Sequence, residues 1–562
     1  MLKVVGASWL QTRISTYILV AVALLGVGAI ILGEFGHVEK DGTYSATVSW
    51  NHKRGCRIDF WGQGNDLTAI SLNAARAYYK TGILENGWSI IEIETSAKYP
   101  DTVQAYAAGL LEGSLTWQLI HHHWYNTVNV ICNKNPVECR KSRRYLRENT
   151  AVIRKRAELL ESKDSFWHMV RLFYAQLDGL EAGWRFAVRR SRQSAEIQTE
   201  DFFWLAMASD LSYDDLTLIN GSNASIGGKG MIFLKALARE NKKLPPLIAI
   251  GHNTAAPYAK MLRLLKRYKF NYHVLPGSKN VALIPTKSII MSSYPGALSS
   301  HDEFYLMTSE NRELIVAGTP LSVPTRDPWD FASLENQVMS SIRVMAANRL
   351  ATDSKSWSKF LTFQNGVNSM HQWITYEPRS ANVWLIEQLG SITRVADYTQ
   401  NLTDSGVVLC TGLPYFQEIE KAAGTINEDD LLTRKRYLMQ SQENVTIMEH
   451  VRNFMRGGYS SQEEKSSILE NINETYRLNL SQIRTYRGDL EKPPLPMGVI
   501  DSKIIAADLN GLKLFEATSG PVRFNELTSP FQWSKSFPNI SHIMGQPDVF
   551  DFDSVTPLWV WI

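Results

Sequence analysis

The chain has 562 residues, of which 44% are hydrophobic and 20% are charged, a composition that is ordinary for a globular protein. Its 59 basic residues are nearly balanced by 56 acidic ones, so the formal net charge is only +3. The net charge therefore gives no reason to expect nucleic-acid binding, and we predict no nucleic-acid partner.

An uncharged, apolar segment lies near the N-terminus, between residues 14 and 33. Lys3 and Arg13 precede it, and Glu34 follows it. About 20 apolar residues are enough to cross a bilayer, so residues 1–33 are predicted to be a cleaved signal peptide or an uncleaved signal anchor. An uncleaved segment would contact the membrane and make the protein type II membrane-anchored. In either case the rest of the chain is predicted to be luminal or extracellular.

Sequons for N-glycosylation agree with that location, although each one alone is a weak signal. The asparagines of the seven Asn-x-Ser/Thr sequons are Asn220, Asn223, Asn401, Asn444, Asn473, Asn479 and Asn539. Two of them lie in a glycine-rich segment, which predicts that this segment is exposed.

The chain has four cysteines, which allow three pairings if all of them are bridged. Cys132 and Cys139 close a short loop that contains Pro136. In an oxidising compartment this spacing predicts a disulfide between them. Cys56 and Cys410 are predicted to be free or buried.

The first part of the chain combines short strands with helices. Residues 44–50 and 88–94 have the pattern of strands, residues 69–79 that of a helix, and Pro100-Asp101 starts a second helix. Apolar residues at helical spacing between Phe166 and Trp184, behind the cap at Asp164, predict a core helix.

Two polar clusters in this part have alternative interpretations. His121, His122 and His123 are adjacent on a predicted helix and point about 100° apart, so they cannot chelate one metal ion together, and we predict no metal site. Between Lys134 and Arg156 there are nine basic residues and two glutamates. This stretch is either a patch for anionic headgroups or nucleic acid, or the solvated face of a helix. The solvated face is favoured because Tyr145 is the only aromatic residue among the basic ones.

The central stretch of the chain runs from residue 216 to residue 258. A polar, glycine-rich segment up to Gly230 is followed by the apolar runs Met231–Leu234 and Leu247–Ile250. The second run leads into Gly251-His252-Asn253-Thr254. The two runs predict buried strands with polar side chains at their ends, where a rigid sheet can present reactive groups.

Downstream, further strands are predicted at residues 271–275, 288–296, 302–306 and 313–318, and the basic stretch Lys260–Lys269 is interpreted as an exposed helix edge. Adjacent strands with helices before and after them favour an α+β fold, a helix–sheet–sheet–helix (αββα) sandwich of two packed antiparallel sheets. The segment Gly227–Gly230 has neither the Walker nor the dinucleotide spacing, and we predict no cofactor.

The central stretch resembles the phospholipase B-like (lamina ancestor-type) family of the N-terminal-nucleophile hydrolase superfamily. In that family a glycine-rich linker is followed by Cys-Ser-Ala-Leu-Ile-Lys and, one strand later, by His-Asn-Thr. Similar segments follow in family order, and they are Ser292–Gly296, Ala347–Ala351, Gln372-Trp373, Pro530–Ser534 and His542–Asp548.

The resemblance implies a site whose nucleophile is missing. Aligning Lys235 with the family lysine puts Gly230 in the place of the cysteine, which in the family becomes the N-terminal nucleophile of a processed chain. In an alternative alignment Ser225 is the nucleophile. The resemblance assigns His252 and Asn253 to the catalytic site and Arg349 to an anionic group, and it assigns Ser293, Tyr294 and Trp373 to substrate binding.

The resemblance also divides the chain and suggests two functions. Residues 34–215 would be the N-terminal part of the sandwich with a helical insertion, 216–230 the linker that the family processes, and 231–562 the C-terminal part that carries the site. The first function is a secreted or lysosomal hydrolase that removes fatty acyl groups from phospholipids or related amides. The second is a degenerate member that binds lipid without turnover.

Overall fold

The computed structural model describes residues 16–25, 42–61, 66–211, 230–239, 241, 243–277, 281–322, 336–364, 366, 369–424, 428–456, 485–523, 529–540 and 543–561. The chain divides into two units, Met1–Gly42 and Thr43–Ile562. In the first unit, residues 16–25 are helical and exposed, and most of the predicted targeting segment lies outside the described residues. None of the helices in the described ranges combines the length and the apolar character needed to span a membrane.

Eleven of the strands described in the second unit form one large sheet. They are β1 (Thr43–Asn51), β2 (Gly55–Trp61), β3 (Ala75–Lys80), β4 (Trp88–Thr95), β7 (Arg263–Lys269), β8 (Ser288–Ser293), β9 (Phe304–Thr308), β10 (Glu313–Pro320), β11 (Met370–Glu377), β12 (Asn382–Leu389) and β13 (Ile392–Asp397). Their order is β13-β12-β11-β10-β9-β8-β7-β4-β3-β1-β2. Neighbours are antiparallel except β4 and β7, which are parallel.

The second sheet has five described strands, which are β5 (Met231–Leu237), β6 (Leu247–Pro257), β14 (Val407–Cys410), β15 (Met497–Asp508) and β16 (Gly511–Ser519). Their order is β14-β5-β6-β15-β16, and all neighbours are antiparallel. A separate ribbon pairs β17 (Phe531–Gln532) with β18 (Val549–Phe550).

The α-helices described in the second unit include the ones that cover the outer face of each sheet. They are α1 (Ile83–Asn86), α2 (Asp101–Leu115), α3 (Trp117–Trp124), α4 (Val130–Lys134), α5 (Pro136–Leu160), α6 (Ser165–Ser191), α7 (Thr199–Met207), α8 (Ser340–Leu350), α9 (Ser354–Thr362), α10 (Thr399–Ser405), α11 (Gln417–Ala423), α12 (Glu428–Ser441), α13 (Met448–Arg456) and α14 (Trp533–Ser536).

Three apolar clusters separate these layers. One lies between α2, α5 to α9 and the large sheet, one lies between the two sheets, and one lies between the small sheet and α12 and α13. Side chains alternate between faces along a strand, so Ile232 of β5 joins the cluster between the sheets while Met231 and Phe233 join the outer one. The predicted α+β sandwich of two sheets flanked by helices is confirmed.

Three of the predicted elements are wrong. Residues 271–275 were expected to be a strand, but only His273 pairs there, in an isolated bridge to Leu283. Residues 69–79 were expected to be helical, but Ala75–Lys80 is strand β3, in which every second side chain is fully buried as it pairs with β1 and β4. The stretch Lys260–Lys269 was expected to be an exposed helix edge, but it contains β7, an interior strand. Arg263 and Lys266 of β7 are buried because each has a buried carboxylate partner.

The predicted core helix is confirmed as α6, whose first turn is capped by the Asp164 carboxylate. It crosses α2 at a contact made of glycines. A Cβ atom at Gly109 or Gly113 of α2 would lie 1.8 Å from Gln176 O or 2.0 Å from Leu180 O, both in α6. The backbones therefore touch directly, and the contact fixes how closely the helical layer packs on the large sheet.

Gly179→Ala is expected to lower the free energy of unfolding by about 3 kcal/mol or more, because its Cβ would lie 2.1 Å from the backbone oxygen of Tyr106. Urea denaturation followed by circular dichroism measures the loss. Gly406→Ala is the matched control: a Cβ there meets nothing within 4 Å, so only its left-handed backbone, with φ of 68°, costs about 1 kcal/mol. Equal losses in the two variants would contradict the backbone contact.

Candidate active site

Gly230 directly precedes β5 and is buried where the two sheets approach each other. Its carbonyl oxygen accepts a hydrogen bond from the buried Arg434 guanidinium of α12 at 3.1 Å. A Cβ atom at this position would lie 2.8 Å from Asn253 O and 3.3 Å from Thr319 Oγ1. The chain therefore closes around a residue that has no side chain, and an added one would have to displace backbone.

His252 and Asn253 are neighbours on β6, so their side chains point to opposite faces of the small sheet. His252 is buried between the sheets, where its Nε2 donates to Gly318 O at 2.7 Å. Asn253 is buried on the outer face, where its Nδ2 donates to Met455 O at 3.0 Å. Within the described part of the chain, His252 Nδ1 and Asn253 Oδ1 have no hydrogen-bond partner.

The protonation of His252 follows from this position. Burial, and next the nearby Lys503 cation, hold the pKa of His252 well below its ordinary value of 6.5. The ring is therefore neutral at neutral pH. Because Nε2 carries the proton that it donates to Gly318, Nδ1 keeps its lone pair and can accept a proton or a hydrogen bond.

Four buried charges lie between the sheets beside His252, and we call Arg263, Asp302, Asp501 and Lys503 the ion network. Arg263 of β7 donates to Asp302 and to Asp501 of β15. Lys503 of β15 donates to Asp501 Oδ1 at 2.6 Å and to Thr254 Oγ1 at 2.7 Å. Burial alone would raise the pKa of Asp302, but the Arg263 and Lys503 cations hold that pKa below its ordinary value.

Arg349, which the resemblance assigns to the site, lies on α8. Its NH2 group donates to Gln176 Oε1 of α6 at 3.2 Å, and its guanidinium lies 5.1 Å from the ring centroid of Tyr272. Both partners belong to the layer between the large sheet and its helices. The structure therefore does not bring Arg349 together with His252, which faces the other side of that sheet.

The three residues assigned to substrate binding lie in different surroundings. The Ser293 hydroxyl donates to Ser299 O at 2.7 Å. The ring of Tyr294 lies 4.3 Å from the Arg263 guanidinium, so Tyr294 contacts the ion network. Trp373 packs edge-on against Trp357 at 5.5 Å, on the helix side of the large sheet.

His371 of β11 forms a buried ion pair with Glu303. Burial alone would lower the pKa of His371, but the Glu303 carboxylate outweighs burial and raises it. Glu303 has a left-handed backbone with φ of 64°, and its carbonyl accepts a hydrogen bond from Gly318 N at 2.7 Å. The backbone of Gly318 therefore connects Glu303, through its N–H, to His252, through its carbonyl oxygen.

Several other predicted residues lie on the surface or outside the described ranges. Cys132 and Cys139 form the predicted disulfide, Cys56 is half-buried and Cys410 is buried. Asn401, Asn444 and Asn539 are exposed. Ser225, Asn220, Asn223, Asn473 and Asn479 lie outside the described residues. In the described ranges, no group of three or more His, Cys, Asp or Glu side chains could hold a metal ion.

Sequence reasoning missed the ion network and its contact with Thr254. Arg263 is one of several basic residues in the stretch Lys260–Lys269, and nothing in that stretch marks it as buried. The contacting residues are distant in sequence: Asp501 follows Arg263 by 238 residues, and Lys503 follows Thr254 by 249.

The pair of His371 and Glu303 makes stability depend on pH. Because the folded-state pKa of His371 is raised, its stabilisation is fully present below the unfolded value of about 6.5 and is lost as the pH rises through the folded value. Glu303→Gln is therefore expected to cost about 1.5–3 kcal/mol at pH 5 and less at pH 9, measured by urea denaturation of both proteins. Glu310→Gln, which removes the exposed partner of Lys287, is the control and should show no such pH dependence. Equal losses from Glu303→Gln at both pH values would refute the charged pair.

Comparison with known proteins places this arrangement in a family. The family Phospholipase B matches residues 75–557. The phospholipase B-like lamina ancestor of Drosophila melanogaster is 29% identical, and the alignment covers 100% of both chains. Phospholipase B-like 2 of Rattus norvegicus is also 29% identical, over 86% of each chain. Among solved structures, penicillin V acylase from Agrobacterium tumefaciens matches with a TM-score of 0.23 and 13% identity, over 51% of this chain and 82% of that one.

The family match extends from β3 to beyond β18, so it includes the small sheet, the large sheet except β1 and β2, the ion network and Gly230. The resemblance drawn from the sequence motifs is confirmed. The chain belongs to the phospholipase B family.

Proposed function

We propose that the chain is a hydrolase that removes fatty acyl groups from phospholipids or related amides. The observation that carries this proposal is a group of polar side chains at one end of the apolar layer between the sheets. Neutral His252, the Thr254 hydroxyl and the Lys503 amine lie there, beside the start of β5. Acyl transfer needs a nucleophile with a base in hydrogen-bond reach, and an acyl chain needs an apolar wall. The names of the relatives, which are phospholipase B-like proteins, support the same chemistry.

A second candidate function is lipid binding without turnover, and Gly230 favours it. In the family mechanism, cleavage before the nucleophile frees an α-amine that activates the side chain of the same residue. Glycine could supply the amine but has no side chain that attacks. The 2.8 Å between a Cβ at this position and Asn253 O leaves little room for a replacement. In this case the fold would retain an acyl-lipid site and lose the reaction.

We propose a location in the secretory pathway, in the lysosomal lumen or outside the cell. Three sequon asparagines, Asn401, Asn444 and Asn539, are exposed and thus accessible to glycosylation. The disulfide of Cys132 and Cys139 fits an oxidising compartment. Residues 1–33 would be either the cleaved signal or an anchor that keeps the protein at the membrane.

Fatty-acid release decides between the two candidate functions. Purified full-length protein is incubated with vesicles of mixed phospholipids at pH 5 and pH 7, and free fatty acids are quantified by mass spectrometry. A hydrolase releases fatty acid in proportion to protein and time, and Ser225→Ala tests whether the linker supplies the nucleophile. Retention of lipid on gel filtration without release supports the binding protein. Neither release nor retention would rule out both functions.

The mature protein is expected to remain one chain after any signal removal. The rearrangement that splits family members needs a thiol or hydroxyl on the residue after the cleaved bond, and Gly230 has neither. A denaturing gel with N-terminal sequencing checks this. Two fragments with a new N-terminus at Gly230 or Ser225 would contradict the expectation.

A further inference from the structure

Thr254 occupies the position beside the missing side chain. Strands β5 and β6 pair with Met231 opposite Asn253, so Gly230, one residue earlier, comes next to Thr254. Side chains alternate along β6, and Thr254 therefore shares the face of His252 between the sheets. Whereas His252 is buried, Thr254 is partly exposed. A partly exposed residue with a hydroxyl group thus lies next to the place of the family nucleophile.

A buried amine touches this hydroxyl. Lys503 Nζ lies 2.7 Å from Thr254 Oγ1 and 2.6 Å from Asp501 Oδ1, and the Lys503 side chain is fully buried. Asp501 also accepts a hydrogen bond from the backbone N–H of Thr254 at 3.1 Å. The carboxylate therefore orients both the amine and the residue that carries the hydroxyl, as the third member of a catalytic triad does.

We propose that Thr254 Oγ1 is the acyl-accepting nucleophile of this chain and that Lys503 Nζ is its general base. This inference rests on the proposed hydrolase function. It substitutes a hydroxyl on β6 for the absent side chain at Gly230, and a lysine amine for the α-amine that chain cleavage would release.

The reaction balances without a co-reactant other than water. Thr254 Oγ1 forms a bond to the acyl carbonyl carbon as its proton passes to neutral Lys503 Nζ. The ester C–O or amide C–N bond of the substrate then breaks, and the Lys503 ammonium returns the proton to the leaving oxygen or nitrogen. In the second half, water gives a proton to Lys503 and its oxygen bonds to the carbonyl carbon. Thr254 Oγ1 leaves and regains that proton, which releases the fatty acid.

The surroundings of Lys503 lower the pKa of its ammonium group from the ordinary value. Burial lowers the pKa of the Lys503 ammonium, while Asp501 and Asp302 act in the opposite direction and Arg263 acts with burial. His252, the other titratable group facing it, is neutral. Arg263 donates to both carboxylates, so each of them keeps one cationic partner when Lys503 is neutral, and the network then has one negative charge more than positive charges.

The test uses 4-nitrophenyl palmitate as acyl donor with the full-length protein. Nitrophenol release gives the rate, and acid quenching followed by peptide mass mapping locates the acyl group. The variants are Thr254→Val, which keeps the shape of the side chain, Thr254→Ser, which keeps the hydroxyl, and Lys503→Arg, which keeps the cation but cannot act as a base. Thr362→Val is the control, because that exposed hydroxyl bonds only Lys359 O at the end of α9.

We expect acylation at Thr254 in the unmodified protein, in Thr254→Ser and in Thr362→Val, and none in Thr254→Val. Lys503→Arg should slow acylation by about 10²–10⁴-fold, the usual contribution of a general base. If Lys503→Arg does not fold, the Thr254 variants alone test whether Thr254 is the nucleophile. Acylation at another residue, an undiminished rate in Thr254→Val, or no reaction of the unmodified protein overturns the inference.

Phospholipid turnover separates this inference from the proposed function. Acylation at Thr254 without fatty-acid release from vesicles would support Thr254 as nucleophile and contradict phospholipids as the substrate. Fatty-acid release from vesicles at the same rate in Thr254→Val would support the hydrolase function and contradict Thr254 as nucleophile.

Discussion

The ion network is the contact on which the candidate site depends, because it joins the two sheets where β5 begins. Arg263 of the large sheet donates to Asp302 beside it and to Asp501 of the small sheet. All of these side chains are fully buried, so their charges are stable there only as long as each is paired. Loss of one partner would leave a buried charge uncompensated, at a cost of about 3–5 kcal/mol. The network therefore sets the relative position of β7 and β15, and with it the position of Thr254.

The pairing between the two sheets does not depend on which side chain is present at position 230. Gly230 contacts Arg434 through its carbonyl oxygen and makes no hydrogen bond to the ion network among the described residues. The pairing between the sheets therefore needs no side chain at position 230.

The sequence predicted those parts of the fold in which the pattern is local. The apolar runs at Met231 and Leu247 are strands, and the stripe behind Asp164 is helix α6, because burial on one face imposes a period that a short window reveals. The sequence misled where a distant partner decides the structure. Arg263 is buried by carboxylates far along the chain, and the alanines of β3 are held in a strand by β1 and β4. The contact of Thr254 with Lys503 has no local signature for the same reason.

The single parallel pairing described in the large sheet has a topological consequence. Strand β4 comes from before residue 211 and β7 from after residue 230, and seven residue pairs from Trp88–Arg263 to Glu94–Lys269 join them. The two segments of the chain thus complete one another's sheet, and α2 and α6 of the first segment cover strands of both. If the chain were made as two separate polypeptides, one ending after residue 211 and the other starting before residue 230, each would expose apolar residues of the shared core. Their reassembly into one particle would be driven by the same burial that folds the intact chain.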